Sequence, residues 1–152
     1  MPAPQIQTEK ENSMLQLTDE MKAAINSALA DRVPLMLASV SADGQPQLGL
    51  RGSVHTIDDD KLGVWLRNAE GDTSANVAQN PRVSLFYRNP ETRLAMQIQG
   101  RAVRPTDPAV VASIYDGSAE PERNADPERK GTGLIIEIDR VYQRGAVVLS
   151  RD

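Results

Sequence analysis

Apolar and polar positions change period several times along the chain, and each change marks an element. Residues 1–16 show no sustained period and include Pro2 and Pro4, which predicts a flexible N-terminal arm and leaves 17–152 as a single domain. From Leu17, the positions Leu17, Met21, Ile25 and Ala28/Leu29 share one helical face, with Thr18 as N-cap and Asp19 and Glu20 in the first turn. That spacing predicts a surface helix of about four turns. The period then shortens. "PLMLASV" (34–40) is a short apolar run, Asp43-Gly44 is a hairpin turn, and "QLGLRGSVHTI" (47–57) follows as a second strand, with "LGVWLR" (62–67) as a third after the acidic turn "DDDK".

A short helix over 73–80, begun by Asp72 or Thr73 and stopped by Pro81, separates these strands from a clear hairpin. In that hairpin "RVSLFYR" (82–88) and "RLAMQIQGRAVR" (93–104) flank "NPET", and Leu94, Met96 and Ile98 alternate with Ala95, Gln97 and Gln99. Asp107 and Pro108 then open a helix over 106–116. Residues 117–131 carry two prolines and many charges, which predicts either a lid or a mobile insert, before the last strands at 132–139 and 146–150. Many short strands with helices in only a few connections predict a mainly β fold with flanking helices, a small antiparallel barrel.

Composition narrows the function. A formal charge of -4 does not suit a protein that grips nucleic-acid backbones through clustered cations, and with few aromatics there is little to stack bases on. No apolar run approaches the roughly 20 residues of a membrane helix. The N-terminus lacks the basic start and apolar core of a signal peptide, so the expected location is cytoplasmic. Zero Cys excludes disulfides, thiolate metal sites and Cys nucleophiles, and a single histidine, His55, gives a triad or a multi-histidine metal centre little to work with. No metal site is expected.

The remaining chemistry is cationic. Arg51 stands mid-strand in "LRGSV" and either faces solvent or turns inward to meet an anion, with Gly52 permitting close approach and Ser53 adding a hydroxyl. Arg67 ends the third strand, and together with the N-terminus of the helix at 73–80 it completes a candidate phosphate pocket. Trp65 reads as core or interface, and His55 as a surface or core histidine.

The run "RGSVHTI", the acidic turn, "LGVWLRNAEGDTSANVAQNPRVSLFYRNP" and a strand closing in "QGRA" together resemble the pyridoxamine 5′-phosphate oxidase-like family of flavin-binding split barrels over residues 17–150. The resemblance implies a six-stranded antiparallel split β-barrel that forms a homodimer and binds FMN. It assigns Arg51, Gly52 and Ser53 to a first phosphate-binding strand, Trp65, Leu66, Arg67 and Asn68 to a second strand beside the flavin, and Thr73 and Asn76 to the following helix. Thr56 and Thr73 stand where the family usually carries lysines, and Asp72 where a basic residue is common. The implied function is an FMN-dependent oxidoreductase acting on a small molecule, with no catalytic residue named. The alternatives are a deazaflavin or haem-binding member, for which His55 offers one axial ligand, or a cofactor-free dimeric binding or stress protein.

Overall fold

The computed structural model describes residues 15–151, so nearly all of the predicted arm lies outside the described residues. Leu15, assigned to the arm for its polar surroundings, is instead 1% exposed and belongs to the core. Helix α1 spans Asp19–Ser27, with the Thr18 hydroxyl accepting from Met21 N at 3.1 Å. It is shorter than its apolar spacing predicts, because the chain leaves the helix in turns that reach Arg32 at φ 62°.

Among the described residues eight strands form one sheet: β1 (Leu35–Val40), β2 (Pro46–Arg51), β3 (His55–Asp58), β4 (Lys61–Leu66), β5 (Arg82–Arg88), β6 (Ala95–Val103), β7 (Thr132–Gln143) and β8 (Ala146–Ser150). Their order is β2-β1-β5-β6-β7-β4-β3, with β8 beside β7 and every pairing antiparallel. The count exceeds the expected six. The main reason is that the run at 47–57 is not one strand: residues 52–54 turn, and β2 and β3 end up on opposite edges of the sheet.

That break closes the fold. Only residues 52–54 separate the two edges in the chain, and so few residues reach at most roughly 14 Å even when extended. The sheet must therefore curl until its edges meet, which makes it a split barrel. Ser53 holds the seam, its hydroxyl donating to Trp65 O at 3.0 Å and accepting from Trp65 N at 2.8 Å. Gly100 permits the curl on the far side, at the register shift between β6 and β7, where a Cβ would lie 2.2 Å from Glu137 O.

Inside the barrel, Leu37, Leu62, Leu85, Ile98, Leu134 and Ile136 pack in one core, and Met21 and Ile25 of α1 join it. A smaller cluster forms outside the wall. There α3 (Pro108–Gly117), capped by Asp107 as predicted, sets Ile114 and Tyr115 against Trp65, the two rings edge to face at 5.0 Å.

Residues 117–131 are structured rather than an open loop. They contain α4 (Glu120–Ala125) and then Asp126, which accepts from Trp65 Nε1, Lys130 N and Gly131 N, each at 2.9 Å. Burial pushes the Asp126 carboxyl up, but these three bonds outweigh it and hold the group below its ordinary range. The Tyr115 hydroxyl adds donations to the carbonyls of Arg123 and Asp126. Among the described residues no helix is long and apolar enough to cross a membrane.

Candidate functional site

Alternation along β2 turns Gln47, Gly49 and Arg51 to one face, and this face is half-buried under α2 (Asp72–Gln79) rather than packed in the apolar core. Between strand and helix lies a cleft of about 310 Å³, lined by Arg51, Leu66, Asn68, Gly71, Asp72 and Thr73.

Arg51 gives the cleft a positive charge. Arg51 donates from Nη2 to the Thr73 hydroxyl at 2.6 Å, while its Nε is buried with no partner. Burial first, and then the positive charge of Arg67, push the Arg51 pKa down from its ordinary value; Glu122 partly offsets them. The guanidinium stays protonated nonetheless. Among the described residues no carboxylate forms an ion pair with this cation, and Glu122 acts on it only through space. Helix α2 points the same way: Gly71 is its N-cap and offers no side chain, so no side chain caps the first-turn N–H groups. Asp72 opposes an incoming anion, but Gln47 Nε2 approaches its carboxylate at 3.5 Å and the charge favours the helix N-terminus.

Not every predicted residue lies in this cleft. Arg51, Leu66, Asn68 and Thr73 do; Gly52, Trp65 and Arg67 line an adjoining cavity that also touches Arg51. Ser53 contacts no ligand space, because its hydroxyl is spent on Trp65 and it is 1% exposed. Asn76 is likewise turned away, donating to the Ser39 hydroxyl at 3.0 Å and to Gln47 Oε1, which docks α2 on the sheet. Gln47 was missed, although it shares the Arg51 face two steps of alternation away. Glu122 was also missed, and nothing near it in sequence signals its position.

His55 lies apart from the Arg51 cleft and lines a different cavity, of about 320 Å³. Its Nδ1 lies 2.7 Å from Ser53 O, and Nε2 is buried without a partner where Gly63 and Gly117 press on the ring: a Cβ at either would come within 2.8 Å of that nitrogen. Burial lowers its pKa. No group of three or more metal-ligating side chains occurs among the described residues.

Fold and cleft together describe a split barrel with an open cleft beside its seam. The model of the pyridoxamine 5′-phosphate oxidase family matches residues 17–145, and the chain belongs to that family. Among solved structures, HupZ of Group A Streptococcus is 25% identical, with a TM-score of 0.67 over 88% of this chain and 98% of that one. An FMN-binding protein from Syntrophomonas wolfei shares the fold at 13% identity and a TM-score of 0.60, covering 93% and 96% of the two chains. A putative pyridoxamine 5′-phosphate oxidase from Lactobacillus delbrueckii does so at 20% identity and 0.63, covering 84% and 94%. No curated protein sequence matches the chain.

Proposed function

We propose that the chain binds FMN in the Arg51 cleft and acts as an oxidoreductase on a small molecule. The observation that carries this reading is the Arg51 guanidinium, half-buried and tied to Thr73 while its Nε stays orphaned. A phosphate suits it. Arg51 supplies the balancing charge, with Arg67 adding to it from the adjoining cavity, and the Thr73 hydroxyl and the first-turn N–H groups of α2 supply donors. Leu48 and Leu66 add apolar wall for the rest of the cofactor. The bound flavin would supply the hydride chemistry, while the protein orients it and excludes water. That division of labour fits a chain without an evident nucleophile or proton relay.

The same reading has the protein work as a homodimer. Met36 stands directly opposite Leu50 on one side and Phe86 on the other, and Leu48, Leu50 and Phe86 are 72%, 65% and 41% exposed. An apolar row of this kind, continuous with the cleft through Leu48, is what a second copy would cover.

The experiment is an absorption spectrum of the purified protein before and after FMN is added and the excess removed. Flavin bands in one-to-one proportion with protein are expected. A protein that stays colourless overturns the reading, and a deazaflavin or Soret band in the protein as purified transfers the site to another cofactor.

A further inference from the structure

A second polar groove crosses the outer face of β5, β6 and β7. It joins a cleft of about 280 Å³ to a neighbour of about 380 Å³, and Arg82, Asp139 and Arg140 wall both. The bulge between β6 and β7 shapes it. Gln99 pairs with Arg140 and Gly100 with Ile138, so Asp139 is the extra residue. Alternation along β7 breaks there, and Asp139 and Arg140 are both half-buried between the buried Ile138 and Val141.

The polar side chains of this groove fall into two sets. In the first, every group is already engaged: both oxygens of Asp139 accept from Arg101 at 3.0–3.2 Å, and Arg151 Nε approaches the same carboxylate at 3.7 Å. Arg101 also meets Glu137 at 3.3 Å, and Arg151 meets Asp60 at 3.2 Å. The second set has no such partners. Among the described residues the side chains of Arg82, Ser84 and Gln99 make no hydrogen bond or ion pair, although Ser84 and Gln99 are half-buried and stand directly opposite one another on β5 and β6. Arg82 stands directly opposite Arg101. Like charges so placed repel, and the carboxylates that neutralise Arg101 form no ion pair with Arg82. A guanidinium, a hydroxyl and an amide with donors to give thus border a groove in which the lining carboxylate, Asp139, is already held between two other arginines.

We propose that this groove binds the phosphate monoester of a small molecule, with the phosphate among Arg82, Ser84 and Gln99 and the uncharged body along Val40 and Pro46 at the other end. A phosphate presents three terminal oxygens to the three donor groups, one more than a carboxylate. The Arg82 fork, having no other partner, is open to a bidentate bond with it. The groove shares no lining residue with the Arg51 cleft, so the inference stands whether or not that cleft holds FMN.

The test is calorimetric titration of phenyl phosphate, inorganic phosphate, benzoate and phenol into the full chain in a phosphate-free buffer. Arg51→Ala, which disarms the first cleft, should retain one site that takes phenyl phosphate at least tenfold more tightly than the other three probes. Adding Arg82→Ala should lower that affinity at least tenfold, and adding Arg88→Ala, an exposed arginine of the same strand outside the groove, should leave it unchanged. In the otherwise wild-type chain, Arg82→Ala alone should remove the same site. The side chain of Arg82 is exposed, so its loss leaves the core intact. Unchanged affinity on loss of Arg82, disappearance of all phenyl phosphate binding in a folded Arg51→Ala variant, equal binding of any other probe, or tighter binding of an oligoglutamate peptide overturns the inference.

Discussion

The Arg51 guanidinium donates to the Thr73 hydroxyl across 2.6 Å, joining the last residue of β2 to the first turn of α2. Twenty-two positions apart in sequence, the two residues meet because β2 is an edge strand and the helix lies against its half-buried face. The bond leaves the rest of the guanidinium free for an anion. Arg51→Ala should therefore lower FMN affinity at least tenfold, since a charge-assisted hydrogen bond contributes about 1.5–3 kcal/mol. Flavin fluorescence titration measures the loss, and an unchanged far-ultraviolet circular dichroism spectrum shows that the fold survives. Wild-type affinity in this variant would remove the proposed phosphate site.

The apolar row Leu50–Met36–Phe86 predicts an oligomeric effect. Phe86→Glu places a charge within the surface assigned to the second copy, beside Met36, where an unpaired carboxylate resists burial. Light scattering should show a dimeric mass for the wild type and a monomeric mass for the variant at micromolar concentration. A monomeric wild type would refute the homodimer.

The Trp65–Asp126 bond predicts a stability effect away from the cleft mouth. Trp65→Phe keeps the packing with Tyr115 but removes the Nε1 donor from a buried carboxylate. The expected cost is about 1.5–3 kcal/mol. Thermal unfolding should shift down by several degrees, roughly 3–10 °C for a chain of this size. Limited proteolysis should cut 117–131 faster in the variant, because Asp126 is what fixes that segment.

His55 predicts a pH dependence. Its folded-state pKa is depressed by burial, so near and below the ordinary value of about 6.5 the unfolded chain takes up a proton that the folded chain refuses. Stability is thus full above about pH 7 and declines as pH falls through about 6.5. Urea unfolding between pH 7.5 and 5 should show the decline, and in His55→Gln it should flatten, since no other histidine is present. A flat wild-type profile would contradict the burial of Nε2.

Local chemistry was readable from sequence. The Thr18 and Asp107 caps, the break at Pro81 and the limits of β5 all follow from neighbours within a few residues, and each stands where it was expected. Features that depend on closure were not. "QLGLRGSVHTI" reads as one strand because nothing in its pattern says that its two halves will pair at opposite edges. Ser53 and Asn76 look like ligand donors in one dimension, and only the folded chain shows their polar atoms already taken by Trp65, Ser39 and Gln47. Arg51 was legible as a mid-strand cation that either faces solvent or turns inward, and the fold half-buries it; the carboxylate of Glu122 that shares its surroundings comes from a helix far along the chain and leaves no trace in local spacing.

The turn at 52–54 ties the opposite margins of the sheet together, and Arg51 is the residue immediately before it. The clasp that turns a ribbon into a hoop is thus also the spot where a negative guest would settle. Loading the cleft would tie β2 to α2 beside that clasp, so a charged visitor and the architecture would reinforce one another.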